Sequence, residues 1–164
     1  MIRKFLLTIF CLNILLMGCS QKKKSILGYE ISKSPQLHSI NENDLLTLAN
    51  SEDNYFILFC SSKDIVCKAI IEDTGELNLK RESSYYFFDI EDYIAACNNN
   101  NKETAEEAIN DFISFMNKYT ISRFPVIQYR KGDKFIKSHV IADKETSPEN
   151  KKVEEFKEWM NTLE

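Results

Sequence analysis

The chain has 164 residues, and its 21 Lys and Arg against 25 Asp and Glu give a formal net charge of −4 at pH 7. This length is sufficient for one domain with a single hydrophobic core. The acidic excess disfavours a nucleic-acid-binding protein, for which a basic face would be expected.

The N-terminus has the layout of a secretory signal peptide. Arg3 and Lys4 supply a positive start, and residues 5–17 form an apolar run that is too short to span a membrane comfortably. The segment that closes the run, Leu16–Cys19, resembles the lipobox of bacterial lipoproteins, in which the cysteine receives an acyl lipid such as palmitate. The resemblance implies cleavage after residue 18 and lipidation of Cys19. The alternative is an uncleaved anchor with an incidental cysteine.

Cleavage at this point would place the mature chain outside the cytoplasm. It removes two basic residues and no acidic ones, which changes the formal charge from −4 to −6. The predicted organisation is a signal peptide over residues 1–18, a lipidated cysteine and tether over 19–40, and a folded domain over 41–164. The basic run Lys22–Lys24 would lie close to anionic lipid headgroups. We therefore expect a membrane-anchored protein on the extracytoplasmic side of a bacterial membrane.

Three cysteines remain in the predicted mature domain, because Cys11 leaves with the signal peptide and Cys19 would carry lipid. These are Cys60, Cys67 and Cys97. Disulfides persist outside the cytoplasm, so a bond between two of them is compatible with the predicted location. Since their number is odd, at least one thiol should be free or should pair with another protein.

The first half of the domain alternates helical and strand patterns. Asn41 or Asn43 would cap a short helix. The continuous apolar run Tyr55–Cys60 is typical of a central parallel strand, which is covered on both faces. A helical pattern begins at Asp64, and the aromatic run Ser84–Ile90 predicts the next strand.

The second half begins with a segment that is acidic and rich in asparagine. Residues 91–103 are interpreted as a surface insertion around Cys97. Thr104 and Glu107 have the spacing of a capping box at the start of a long amphipathic helix. The remaining chain predicts a strand, a hairpin turn, a second strand and a closing helix, over residues 125–130, 131–133, 134–141 and from Ser147 onwards.

This order of elements, β-α-β-α-β-β-α after one preceding helix, resembles that of the thioredoxin fold from Leu45 to Leu163. The strongest local likeness is the segment Tyr119–Pro125. The resemblance implies an α/β, thioredoxin-like three-layer fold in which a central mixed sheet carries helices on both faces. In that family the proline matching Pro125 is cis and faces the redox cysteines. The residue before it, here Phe124, offers backbone hydrogen bonds to an extended substrate, so both are predicted substrate-binding residues.

The chemistry of the thioredoxin family requires two cysteines at the start of a helix. The first is exposed and attacks a disulfide as a thiolate, and the second, three residues later, resolves the mixed disulfide. In this chain Cys67 falls on the second position and Asp64 on the first. Asp64 would cap the helix, and its charge would oppose the thiolate that the helix dipole favours. Cys67 is therefore either a catalytic cysteine or a small apolar residue of a buried helix face.

Cys60 is the second candidate catalytic cysteine. It precedes Cys67 by seven residues. A disulfide needs Cα atoms within about 7 Å of each other, whereas packed layers lie about 10 Å apart. We therefore expect no Cys60–Cys67 bond unless the turn between them is distorted, in which case they would be a redox pair of unusual spacing. Cys97 is the other potential disulfide partner, although we expect it to be an exposed or half-buried free thiol.

The sequence predicts no cofactor and no metal site. His38 is assigned to the tether and His139 to an edge strand, far apart and without clustered ligands. Neither histidine is associated with the nucleophile elbow of a serine hydrolase.

Three functions fit these observations. The first is a divergent thiol-disulfide oxidoreductase of the cell envelope, in which Cys67, with or without Cys60, acts on exported proteins. The second is a non-catalytic binding module that holds an extended peptide at Phe124 and Pro125. The third is a variant of the second and resembles the thioredoxin-like accessory proteins found beside bacteriocin exporters. The expected partners are extracytoplasmic proteins or peptides and, through the lipid, the membrane.

Overall fold

A computed structural model describes residues 24–30, 37–73, 83–141, 154–156, 158–160 and 162. The predicted signal peptide, Cys19 and the predicted start of the closing helix at Ser147 lie outside these residues. The elements, in chain order, are β1 Leu37–Ile40, α1 Glu42–Ala49, β2 Asn54–Cys60, α2 Ile65–Asp73, β3 Ser84–Asp89, α3 Glu91–Cys97, α4 Lys102–Tyr119, β4 Val126–Lys131 and β5 Lys134–Val140. Residues 154–156 and 158–160 are also helical.

The five strands form one mixed sheet in the order β1-β3-β2-β4-β5. Strands β1, β3 and β2 run parallel to one another. Strand β4 runs antiparallel to β2, and β5 runs antiparallel to β4. The hairpin between β4 and β5 turns at Gly132, which has a φ of +56° and whose missing Cβ would collide with the backbone oxygen of Ser51. Glycine is required there, since the position is both left-handed and crowded.

The side chains of β2 alternate between two hydrophobic cores, one on each face of the sheet. On the first face Phe56, Leu58 and Cys60 pack with α2 and with the C-terminal helical residues. On the second face Tyr55, Ile57 and Phe59 pack with α1 and α4. Helices therefore cover both faces, and the predicted α/β architecture with a central mixed sheet is confirmed.

The sheet extends into the segment that was predicted to be a tether. Residues 37–40 form β1, which pairs in parallel with β3 in the register Leu37 to Tyr85. His38 therefore lies in a strand, and its ring stacks on that of Tyr29 with centroids 3.8 Å apart. A four-residue edge strand with one buried end gives too short a pattern to be recognised from the sequence.

The interpretation of residues 91–103 as an insertion is wrong for their first half. Glu91–Cys97 is helix α3, because Tyr93 and Ile94 pack against the second core. The predicted capping box at Thr104 is also wrong, since Asn101 caps α4 by accepting hydrogen bonds from the backbone N–H groups of Glu103 and Thr104 at 3.1 and 3.3 Å. Asparagine caps helices as well as serine or threonine does.

Candidate functional site

Cys60 and Cys67 form a disulfide, with their Cα atoms 6.0 Å apart. Cys60 ends β2 and Cys67 is the third residue of α2. The expectation that layer spacing would keep them apart is wrong, because that spacing describes packed axes and not the corner where the chain passes between layers. The turn at this corner is tight, since the Asp64 N–H donates to the Ser61 carbonyl at 3.0 Å.

Both bonded cysteines are 0% exposed. They belong to the first core, where they pack among apolar residues that include Val66, Ile127 and Ile141. Thiol–disulfide exchange requires a thiolate to reach a sulfur atom, so burial protects this bond from attack in the folded state.

Asp64, which the sequence resemblance aligned with the exposed cysteine of the thioredoxin family, precedes the first residue of α2. Its carboxylate accepts a hydrogen bond from the Cys67 backbone N–H at 2.9 Å, and its carbonyl accepts from the Lys68 N–H at 3.0 Å. The predicted helix cap is thereby confirmed. The cap removes one of the N–H groups that would otherwise stabilise a thiolate at the helix N-terminus.

The turn above the disulfide, residues 61–63, is tied to the end of β3. Asp89 accepts hydrogen bonds from the backbone N–H groups of Ser62 and Glu91, at 3.0 and 2.9 Å. Glu91 also accepts from the Ser61 hydroxyl and pairs with the Lys63 ammonium at 2.7 Å. These contacts hold the turn in place over the buried bond.

This polar network was not predicted from the sequence. The hydrogen bond and ion pair with Glu91 raise the pKa of Lys63, and the same contact, together with the Ser61 hydroxyl, lowers the pKa of Glu91. The sequence did contain one signal for it: Asp89 ends β3, and the polar residues 61–63 follow β2. The carboxyl ends of neighbouring parallel strands lie at the same edge of a sheet, so these residues were candidates for contact.

The proline loop lies at the same end of the sheet as the disulfide. The Phe124–Pro125 peptide bond is cis. Phe59 pairs with Val126, so the antiparallel register extended by one residue places Pro125 alongside Cys60. The Pro125 carbonyl accepts a hydrogen bond from the Ile141 N–H at 3.0 Å. The structure therefore brings Cys60, Cys67 and Pro125 together, as the sequence analysis expected, although the roles of these residues remain predictions.

Phe124 presents an open backbone beside this proline. Its ring stacks on that of Phe112 with centroids 5.5 Å apart, which leaves the residue half-buried. Within the described residues, no hydrogen bond is made by its backbone N–H or carbonyl. Ile65, two residues before Cys67, adds an apolar side chain that is 59% exposed. An extended chain could pair with the first group and pack on the second.

The remaining residues that the sequence singled out are two histidines and Cys97. The pKa values of His38 and His139 are both lowered by burial, and the ring of His139 stacks on that of Trp159. Cys97 is a half-buried free thiol. In the part of the chain that the structure describes, no three His, Cys, Asp or Glu side chains could hold a metal ion. No helix of that part has the length and apolar character needed to cross a membrane.

Two solved thioredoxins and a designed protein are similar to this structure. Thioredoxin O1 of Arabidopsis thaliana in its oxidized state is 19% identical, with 78% of this chain and 97% of that chain covered and a TM-score of 0.46. A mutant thioredoxin of Halobacterium salinarum is 10% identical, with coverages of 80% and 92% and a TM-score of 0.45. A designed protein is 16% identical, with coverages of 79% and 98% and a TM-score of 0.47.

No protein-family model matches the chain, and no curated protein matches it. The central mixed sheet and the helices on both of its faces are the arrangement that the sequence resemblance implied. The chain has a thioredoxin-like fold.

Proposed function

We propose that this protein is a lipoprotein of the bacterial cell envelope whose thioredoxin-like domain binds extended segments of exported proteins without transferring electrons. The state of the cysteines carries the proposal. Cys60 and Cys67 are bonded to each other and 0% exposed, and Asp64 stands where the attacking thiol would lie. Disulfide exchange needs an accessible sulfur atom. The folded site offers no accessible sulfur atom, and we therefore propose peptide binding as its activity.

The binding surface consists of the Phe124 backbone and the exposed side chain of Ile65. An extended peptide that pairs with the N–H and carbonyl of Phe124 would gain main-chain hydrogen bonds, as in other cases of strand addition. Its side chains would then lie against Ile65, which projects from the first turn of α2 at the same end of the sheet. Such a surface would recognise an extended backbone and apolar side chains rather than one particular sequence.

A titration of the mature chain with a reduced and alkylated, permanently unfolded exported protein tests this proposal. The backbone amide resonance of Phe124 should shift on binding. Replacing Ile65→Ser should weaken binding roughly five- to tenfold, because it removes apolar area from the contact. Ile113→Ser is the matched control, since Ile113 is 49% exposed but lies on α4. Equal effects of the two substitutions, or an unmoved Phe124 resonance, would refute the binding surface.

Thiol-disulfide exchange is the second candidate, favoured by one specific observation. The Cys60–Cys67 bond lies at the first turn of α2, where the helix N-terminus would stabilise a Cys67 thiolate once the bond opened. In that reaction two substrate thiols would become a substrate disulfide. The Cys60–Cys67 bond would take up their two electrons and two protons to become two thiols.

A disulfide-reduction assay separates the two candidates. Under the binding proposal the mature chain shows no turnover in the presence of a small thiol reductant. Turnover that is lost in Cys67→Ser would instead establish the redox function. Asp64→Cys should introduce turnover, because it supplies an exposed thiol three residues before Cys67. In a Cys60→Ser background, an Asp64→Cys chain that forms no bond to Cys67 under oxidation would show that the two positions are misaligned.

The lipid anchor is tested separately from the domain. The full chain, made in a bacterium that processes lipoproteins, should incorporate an alkyne-labelled fatty acid and float with membranes. Cys19→Ala should abolish both results, whereas Cys97→Ala should change neither. Label that persists in Cys19→Ala would refute the anchor and leave the binding proposal untouched.

A further inference from the structure

Residues 24–30 form a short folded turn at the N-terminal side of the domain. The Ser25 N–H donates to the Tyr29 carbonyl at 2.8 Å, and the Gly28 N–H donates to the Ser25 carbonyl at 2.9 Å. Lys24 and Glu30 form an antiparallel bridge across the base of the turn. We call residues 24–30 the N-terminal turn.

This turn is packed onto the domain. Tyr29 stacks on His38 of β1, and both Leu27 and Tyr29 contact the second core. Tyr29 also approaches the ring of Tyr86, with centroids 6.1 Å apart. Ser25 is buried. The N-terminal turn is therefore a fixed part of the domain surface, although it lies in the segment predicted to be a tether.

The turn lies at the end of the sheet opposite the candidate site. The Tyr86 ring, which Tyr29 approaches, also lies beside that of Tyr55 with centroids 6.0 Å apart, and the Tyr55 hydroxyl donates to the Gly132 carbonyl of the hairpin at 2.9 Å. Tyr55 is the second residue of β2, next to the end at which Asn54 pairs with Lys131, whereas Cys60 ends β2. The seven residues of β2, at about 3.3 Å each, separate these two ends by roughly 20 Å.

The sequence leaves little chain between the predicted lipid and this turn. Only residues 20–23 separate Cys19 from Lys24. At a maximum of about 3.3–3.6 Å per residue, the two ends of this segment lie no more than roughly 18 Å apart. If Cys19 carries a lipid in the bilayer, the N-terminal turn is held within roughly 18 Å of it.

The outer surface of the turn suits a bilayer. Ile26 lies at the tip of the turn and is 48% exposed. The basic run Lys22–Lys24 immediately precedes it in the sequence. An exposed aliphatic side chain that follows lysines in the sequence matches the pattern of segments that contact anionic headgroups, with the apolar group in the interface and the charges beside the phosphates.

We propose that the N-terminal turn rests on the membrane, with Ile26 in the headgroup region, and thereby turns the Cys60–Cys67 and Phe124–Pro125 end of the domain away from the bilayer. This inference rests on the lipid anchor of the proposed function. A fixed orientation exposes the binding surface to proteins in the space beyond the membrane, rather than to the lipid or to segments emerging at its surface.

Fluorescence quenching by brominated phospholipids tests the orientation in the full lipidated chain. Ile26→Trp and Ile65→Trp are compared in a Trp159→Phe background, in vesicles of phosphatidylethanolamine and phosphatidylglycerol. The two positions are similarly exposed, 48% and 59%, but lie at opposite ends of the sheet. We expect at least twofold greater quenching for Ile26→Trp than for Ile65→Trp. An Ile113→Trp chain, on α4, should behave as Ile65→Trp does.

Flotation of the same vesicles separates the two ways in which this can fail. A chain that does not float lacks the lipid anchor, and both the anchor and the orientation are then refuted. A chain that floats but shows equal quenching at the two positions, or greater quenching for Ile65→Trp, retains the anchor and refutes the orientation alone. Far-UV circular dichroism of each variant verifies that the domain remains folded.

Discussion

Opening the Cys60–Cys67 disulfide should lower the free energy of unfolding by about 2.4 kcal/mol. The bond joins residues seven apart in the sequence. For a closed loop of about this length the chain-entropy relation gives about 2.4 kcal/mol at 25 °C. With a urea m-value of about 1–3 kcal/mol/M, the unfolding midpoint should fall by roughly 1–2 M. This loss of stability acts entirely through the unfolded chain, provided that the reduced thiols keep their buried positions in the folded state.

Urea titrations of the mature chain, refolded with and without reductant and followed by circular dichroism, measure this difference. Cys97→Ser is the matched control, because Cys97 is a free thiol and its loss should leave the difference intact. A difference below about 0.5 kcal/mol would contradict the loop-closure reasoning. A difference that disappears in Cys97→Ser would show that another pair of cysteines is bonded.

Three other substitutions test the contacts that hold the domain together. Arg130→Leu should cost about 2–3 kcal/mol in a urea titration, because the 4%-exposed Arg130 donates to the Tyr119 and Asp133 carbonyls, which would lose a charged partner; a neutral result would contradict this. Asn101→Ala should cost about 1 kcal/mol by removing the α4 cap, whereas Asn100→Ala should cost nothing. Because folding lowers the pKa of Glu91, its contribution to stability is present above the ordinary value of 4.5 and is lost as pH falls below it. Glu91→Gln should therefore flatten the pH dependence of unfolding below that value, and an unchanged profile would show that Glu91 contributes nothing.

The sequence was sufficient to predict most of the sheet and the helix that follows β2. The continuous apolar run at Tyr55–Cys60 and the aromatic run at Ser84–Asp89 have patterns that strands of a covered parallel sheet produce. The Asp64 cap was predicted from residue type and position alone, since the carboxylate needs only the adjacent backbone.

What the sequence could not supply depends on contacts between distant residues. Strand β1 exists because Leu37–Ile40 pairs with β3, and its own four residues carry no periodic signal. Helix α3 depends on Tyr93 packing against Phe115 of α4. The Cys60–Cys67 bond depends on the geometry of one turn, which general layer spacings do not describe.

The central claim is that the Cys60–Cys67 bond is closed and unreachable in the folded protein, which leaves the Phe124–Pro125 edge as the active surface. Incubation of the native mature chain with millimolar dithiothreitol, followed by alkylation and mass spectrometry, tests it most directly. We predict that, of Cys60, Cys67 and Cys97, only Cys97 is alkylated in native buffer, and that Cys60 and Cys67 become reactive only as urea unfolds the chain. Alkylation of all three within minutes in native buffer would contradict the claim.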